Sequence, residues 1–189
     1  MGEKIIDLIP LEYPKDLALL SFNVKRLKPK QELVAKINPQ RLENYLKWAA
    51  ESGNKVEPTE ENLIKVVRGK GFHGICLGEK ISFYALGVKL HFKEFLFKLT
   101  GKYPPYLVNF VSINEGFRTV EKLKDFLSNR GYEILPAPKE VEGYCGLVVG
   151  FNELKDAEEF FNKALANRCG VEILFRSKDF QILKKAWEG

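Results

Sequence analysis

The fold is decided by residues 106–176, which read YLVNFVSINEGFRTVEKLKDFLSNRGYEILPAPKEVEGYCGLVVGFNELKDAEEFFNKALANRCGVEILFR. Short apolar runs predict four strands, at 107–113, 132–135, 147–151 and 171–175. Apolar residues at helical spacing predict two helices, at 114–129 and 156–167. The predicted order is therefore β-α-β-β-α-β. Phe180, Leu183 and Trp187 then predict a terminal helix.

This order of elements is the ferredoxin-like, or split βαβ, pattern. Right-handed crossovers make its first and second strands point the same way, and likewise its third and fourth. The usual sheet order is 4-1-3-2, with antiparallel neighbours. Residues 106–189 are thus predicted to form a ferredoxin-like domain with a terminal helix.

Residues 1–105 are predicted to be mostly helical after an irregular start. Asn38-Pro39 is a typical helix start, with Asn as the cap. Thr59 predicts the cap of a second helix, and the apolar spacing over 79–99 predicts a third. Gly101, Pro104 and Pro105 then interrupt the chain. The predicted fold class is α+β, with domains at 1–105 and 106–189.

Charge is unevenly distributed along the 189 residues, whose net charge is +5. Residues 1–106 hold 18 Lys and Arg against 12 Asp and Glu, so the first half carries a net +6. This excess is typical either of a surface for nucleic acid or an acidic protein, or of an ordinary solvated surface. Many Lys and Glu with a single Met favour a thermophilic source.

The composition also limits the classes of protein that fit. No apolar run approaches the roughly 20 residues of a membrane span, so we expect a cytoplasmic protein. Three cysteines, with no Cys-x-x-Cys and only two histidines, favour reduced thiols over a disulfide framework or a zinc site. No metal or cofactor is predicted.

Cys145 is the residue that this topology makes most conspicuous. It precedes the third predicted strand, beside the end of the first strand and the start of the first helix. A helix N-terminus and Arg118 favour a thiolate there, and the flanking Gly143 and Gly146 permit close approach by another molecule. Glutamates nearby in the sequence oppose a negative sulfur. The alternative is a cysteine that only packs at a strand start.

Cys76 and Cys169 are secondary thiol candidates. Cys169 precedes the fourth predicted strand, about 10 Å from the third because the first strand lies between them. That spacing disfavours a bond to Cys145, so a structural role is favoured over a resolving thiol. Cys76 lies in a glycine-rich stretch with His73, which is read as a loop or as a second sulfur acceptor.

The stretch LPAPKEVEGYCGLVV, residues 135–149, resembles the signature of the selenium/sulfur carrier-like family. Its features are a Pro-rich turn, a short spacer, Cys-Gly and an apolar strand, and the layout over 107–175 is similar. The resemblance implies Cys145 as the position that carries a persulfide or its selenium analogue. No resemblance covers residues 1–105.

Three functions follow as expectations. The first is a sulfur carrier or relay, rather than a stand-alone catalyst, with Cys145 as acceptor and the first half as a docking module. Its partner would be a sulfur donor or acceptor, such as a heterodisulfide-reductase-like complex. The second is a non-enzymatic interaction subunit with structural cysteines. The third, less favoured, is nucleic-acid binding through the basic half.

Overall fold

The computed structural model of the chain describes residues 5–69, 91–97, 99–100, 103–138 and 146–188. The first half contains β1 (Ile5–Asp7), α1 (Lys15–Val24), β2 (Glu32–Lys36), a 3-10 turn (Pro39–Arg41), α2 (Leu42–Ser52), β3 (Lys55–Glu60) and β4 (Leu63–Val67). Residues 91–97, also in the first half, form α3. The second half contains β5 (Tyr106–Phe110), α4 (Ile113–Lys122), α5 (Lys124–Leu127), β6 (Tyr132–Pro136), β7 (Leu147–Phe151), α6 (Leu154–Ala166), β8 (Val171–Arg176) and β9 (Ile182–Lys185).

The first half is built on a sheet, so the prediction that it is mostly helical is wrong. Its four strands lie in the order β1-β2-β4-β3. β1 and β2 are parallel, whereas β4 runs antiparallel to both of its neighbours. α1 is the crossover between the two parallel strands and occupies much of the segment that was predicted to be irregular. The protein is therefore α+β with two sheets.

The helix predicted from Thr59 is instead the hairpin of β3 and β4. Val56 pairs with Val66 across this hairpin, and Pro58 pairs with Ile64. Ile64 and Val66 are buried while Lys65 between them is not, which is the two-residue alternation of a strand. β-branched side chains fit such a half-buried pleated surface better than a helix.

The helix predicted after Asn38-Pro39 is confirmed. The Asn38 side chain accepts a hydrogen bond from the Gln40 backbone N–H at 3.0 Å, and the chain passes through the 3-10 turn into α2. Gly53 ends α2 in the left-handed conformation, with φ of 70°, which costs glycine little. Of the third predicted helix, residues 91–97 and 99–100 are helical, and 79–90 lie outside the described residues.

The second sheet has the order β6-β7-β5-β8-β9, with antiparallel neighbours throughout. Numbered within the βαββαβ unit, its first four strands lie in the order 4-1-3-2, which the sequence pattern predicted. α4 and α6 pack on the central strands. β7 therefore begins at the end of the sheet where β5 finishes and α4 starts.

The predicted terminal helix is wrong, because residues 182–185 form the fifth strand of this sheet. Phe180 lies in the turn before it with φ of 55°, and Arg176 and Asp179 form an ion pair of 2.6 Å across that turn. Ile182 then pairs with Phe175. Beyond β9, Trp187 packs its ring against Phe22 of α1, with centroids 4.8 Å apart.

The two halves share one hydrophobic core. Buried side chains from both sheets belong to the same cluster, including Tyr45 and Trp48 from the first half and Phe110 and Phe160 from the second. α1 lies against β8. The division at residue 105 stays a prediction, but the described contacts predict that the halves unfold together.

Within the part of the chain that the structure describes, no helix combines the length and the apolar character that a membrane span requires.

Candidate functional site

The two halves meet at the carboxyl end of β5. The Val111 carbonyl oxygen accepts hydrogen bonds from Ser21 Oγ at 3.2 Å and from Trp48 Nε1 at 3.1 Å. Both donors belong to the first half, and all three residues are buried. α1 and α2 are thereby fixed beside the end of the central strand.

Ser112 starts α4 at this same place. Its Oγ accepts a hydrogen bond from the Glu115 backbone N–H at 3.2 Å, and its backbone is extended. This satisfies one of the free N–H groups at the helix start. The prediction began this helix at Asn114; the Ser112-x-x-Glu115 pattern, which is a capping signal, would have placed the start correctly.

A small cleft lies where α1, α2 and α4 approach one another. We call it the junction cleft. Its volume is about 60 Å³. It is lined by Tyr13, Leu17, Asn44, Lys47, Trp48, Glu51, Val111, Ser112, Glu115 and Arg118. Sequence reasoning placed only Arg118 of these in a functional site, because the others come together through the docking of the first half.

Arg118 is held by two carboxylates. Its guanidinium donates to Glu115 Oε1 at 2.9 Å and to Glu51 Oε1 at 3.0 Å. The hydrogen bond that Arg118 donates to Glu115 is the main cause that raises the Arg118 pKa. Its positive charge is therefore largely compensated where it stands. The predicted support of a Cys145 thiolate by Arg118 stays a prediction.

Glu115 also connects the cleft to the start of β8. Its Oε2 accepts a hydrogen bond from the Gly170 backbone N–H at 3.1 Å. A Cβ on Gly170 would lie 2.6 Å from Val111 Cγ2, so a larger residue would force the chains apart here. Glu115 thus contacts the residue that precedes β8, the strand on the other side of β5 from β7.

The start of β7 lies against the first turns of α4. The Ala137 backbone N–H donates to the Gly146 carbonyl at 3.0 Å, so the β6–β7 ladder extends to Gly146. Leu147 Cδ2 fills the space beside Gly116, where a Cβ would overlap it. Gly146 therefore lies where the sequence predicted it, at the end of the sheet where β5 finishes and α4 starts. Gly143, Cys145 and Cys76 lie outside the described residues.

Cys169 is the one cysteine in the described ranges. It is 5% exposed, and its Sγ lies 3.8 Å from the Asn167 carbonyl oxygen. Burial raises the pKa of its thiol, a hydrogen bond to Thr119 and the charge of Lys122 act in the opposite direction, and Glu115 raises it further. A buried thiol that keeps its proton is a poor nucleophile.

This burial predicts slow alkylation of Cys169. At neutral pH the thiol should react with iodoacetamide at least about tenfold more slowly in the folded protein than in urea. Because its pKa is raised, the rate should rise only at more alkaline pH than for a free cysteine. The measurement is time-resolved mass spectrometry of the tryptic peptide 169–176; equal rates with and without urea would contradict the buried placement.

The side chains that could bind a metal ion are not grouped together in the described residues. Among the residues whose placement is described, no three or more His, Cys, Asp or Glu side chains are grouped to hold a metal ion.

Comparison with known proteins gives one finding that bears on function. No family model matches the chain, and no solved structure does. Among curated proteins, it is 28% identical over 183 residues to the "Putative sulfur carrier protein" of Aquifex aeolicus. The chain is thus similar to a protein that is named a putative sulfur carrier. The similarity spans 93% of this chain and 92% of the relative.

The resemblance to sulfur carriers that the sequence around Cys145 indicated is confirmed by this relative. It also extends further than predicted, because 183 aligned residues take in both halves of the chain. The first half, which resembled nothing when the sequence was read alone, is therefore part of what the two sulfur-carrier-like sequences share.

Proposed function

We propose that the protein carries sulfur as a persulfide on Cys145 and passes it to a partner protein. The observation that carries the proposal is the similarity of almost the whole chain to a putative sulfur carrier protein. Cys145 is proposed as the sulfur-carrying residue because it lies in the Cys-Gly motif, after a Pro-rich turn, that resembles the signature of the carrier-like family.

The described structure supports this choice of cysteine in two ways. Cys169 is buried with a raised pKa, which disfavours it as a sulfur acceptor. Cys145 is bonded to Gly146, whose carbonyl anchors the beginning of the β6–β7 ladder. Gly146 lies at the end of the sheet where β5 finishes and α4 starts, which is the end at which the sequence pattern predicted the sulfur site.

The proposed chemistry is thiol–persulfide exchange. The Cys145 thiolate attacks the outer sulfur of a donor persulfide, the donor's S–S bond breaks, and the donor leaves as a thiolate. An acceptor thiolate then attacks the outer sulfur on Cys145, and Cys145 leaves as a thiolate. Each step forms one S–S bond and breaks one, so no external oxidant or reductant is required.

The partner is proposed to be a sulfur donor or acceptor protein, such as a heterodisulfide-reductase-like complex. The first half, fixed on the end of β5 by Ser21 and Trp48, would contribute the docking surface. In this role the protein acts as a carrier and needs no cofactor of its own.

Intact-mass spectrometry tests the proposal. After incubation with a cysteine desulfurase and cysteine, the wild type should gain about 32 Da, one sulfur atom, and lose it on reduction. Cys145→Ser should gain nothing, while Cys169→Ala, the matched control, should gain as much as the wild type. No gain by the wild type, or an equal gain by Cys145→Ser, would rule out the carrier role of Cys145 and favour an interaction subunit with structural cysteines.

A further inference from the structure

A groove lies at one end of the first sheet. We call it the sheet-end groove, and its volume is about 530 Å³. It is lined by Ile9, Ile37, Asn38, Pro39, Glu60, Glu61 and Asn62. This volume lies within the roughly 300–1,000 Å³ that is typical of binding clefts. No residue of the groove belongs to the proposed sulfur site.

The position of the groove follows from the directions of the strands. β1 and β2 are parallel, and β3 runs the same way because β4 is antiparallel to both β2 and β3. The carboxyl ends of all three strands therefore lie at one end of the sheet, and the residues of the groove lie at or just beyond these ends. In open α/β sheets, ligands bind in the crevice outside the carboxyl ends of the strands.

Backbone hydrogen bonds hold the walls of the groove in place. The Leu8 N–H donates to the Lys36 carbonyl oxygen at 2.8 Å, which brings Ile9 beside the end of β2. The Ile37 N–H donates to the Asn62 carbonyl oxygen, also at 2.8 Å, which fixes the β3–β4 turn to the same place. A groove that is already formed loses little conformational freedom when a partner binds.

The sheet-end groove combines apolar and acidic side chains. Ile37 is buried, whereas Ile9 is 43% exposed. Glu60 and Glu61 are both exposed, and within the described residues neither carboxylate forms an ion pair or accepts a hydrogen bond. The groove is thus acidic, although residues 1–106 carry a net charge of +6. It presents a large apolar side chain and two unpaired carboxylates to a partner.

We propose that the sheet-end groove binds a basic segment of a partner protein, with an apolar side chain against Ile9 and Ile37 and with flanking Lys or Arg side chains at Glu60 and Glu61. The two carboxylates favour a cationic partner. A chain segment fits better than a small molecule, because the exposed walls leave one side of the bound group in water, whereas small-molecule sites enclose most of their ligand. The inference goes beyond the proposed sulfur transfer and does not depend on Cys145.

Methyl NMR of the full chain, with the δ1 methyl groups of isoleucine labelled, tests this inference. The probe is the peptide acetyl-Gly-Lys-Leu-Lys-Gly-amide, and the matched peptide carries Glu in place of both Lys. We expect the lysine peptide to shift the Ile9 and Ile37 methyl signals in a saturable way, and the glutamate peptide to leave them in place. Replacing both carboxylates of the groove, Glu60→Gln with Glu61→Gln, should weaken binding about three- to tenfold, because each exposed ion pair contributes modestly.

The matched control is Glu43→Gln with Glu153→Gln, which removes two exposed carboxylates outside the groove and should bind the lysine peptide like the wild type. The inference would be overturned if the lysine peptide shifted neither methyl signal, if both peptides shifted them equally, or if the groove variant bound as tightly as the wild type.

Sedimentation of the wild type without peptide distinguishes the other occupant. Self-association that Glu60→Gln with Glu61→Gln abolishes would assign the groove to a second copy of the chain and overturn the proposal, whereas a monomer at the concentrations used for NMR supports it. Sulfur loading of Cys145 is a separate measurement. Loss of sulfur uptake with intact peptide binding would count against the carrier function alone, and the reverse result against the groove alone.

Discussion

Replacing Lys25 with methionine is expected to lower the free energy of unfolding by about 3–5 kcal/mol. Lys25 Nζ lies 2.9 Å from Glu172 Oε2 and 2.8 Å from the Phe110 carbonyl oxygen. The Glu172 side chain is 1% exposed. Methionine keeps most of the packing of the lysine side chain but leaves the Glu172 carboxylate buried without this cation. A buried charge that has lost its partner is strongly destabilising. Urea unfolding of both proteins measures the difference.

A double variant separates the charge from the packing. Adding Glu172→Leu to Lys25→Met removes the carboxylate that Lys25→Met leaves without its cation. Most of the lost free energy of unfolding should therefore be recovered. Lys28→Met changes an exposed lysine a few residues away and should alter stability by less than about 0.5 kcal/mol. A Lys25→Met effect no larger than that of Lys28→Met would mean that the pair does not join α1 to β8.

Trp48→Ala is expected to have the second large effect, again about 3–5 kcal/mol. Trp48 is 3% exposed, packs in the core shared by the two halves, and donates its Nε1–H to the Val111 carbonyl. Truncation removes the aromatic ring from the core and leaves Val111 with Ser21 as its donor from the first half. Thermal unfolding with far-ultraviolet circular dichroism measures the loss.

Trp48→Phe is the matched control for this prediction. It keeps most of the aromatic area and loses the hydrogen bond, so it should cost about 1–2 kcal/mol less than truncation. If the halves unfold as one unit, both variants should keep a single transition at a lower temperature. A transition that splits in two, with one part unchanged from the wild type, would show instead that the second sheet does not depend on α2.

The second sheet could be predicted from sequence because its signals are local. Short apolar strands alternate with long apolar helical stripes, and the right-handed crossover leaves few topologies. The order of four strands is then the usual one for the ferredoxin-like pattern. The fifth strand could not be predicted in this way, because Phe180, Leu183 and Trp187 also fit helical spacing. Only the pairing of Ile182 with Phe175 distinguishes a strand from a helix here.

The first sheet was missed because its strands are short and its signals ambiguous. β1 has three residues, and Thr59 followed by two glutamates is as typical of a helix start as of a hairpin. The β-branched run Ile64 to Val67 was the better guide. Parallel pairing of β1 with β2 across α1 is a tertiary choice that no single segment reveals.

The candidate site was predictable only in part. Gly146 could be placed at its end of the sheet because topology fixes where β7 begins. The contacts of Arg118 with Glu51, and of Val111 with Trp48, join residues more than sixty positions apart. They depend on how the first half docks, for which the sequence carried no recognised pattern. Asn109 lies within the first predicted strand of the second sheet, and its lack of hydrogen-bond partners among the described residues appears only when the sheet is assembled.

Locating the transferred sulfur tests the central claim most directly. Trypsin places the three cysteines in separate peptides, with Cys76 in residues 71–80, Cys145 in 140–155 and Cys169 in 169–176. After loading with a desulfurase and capping of free thiols, an added mass of about 32 Da, sensitive to reductant, should appear on peptide 140–155. Its appearance on peptide 71–80 or 169–176 instead, or on none of the three, would contradict the assignment of Cys145 as the sulfur-carrying residue.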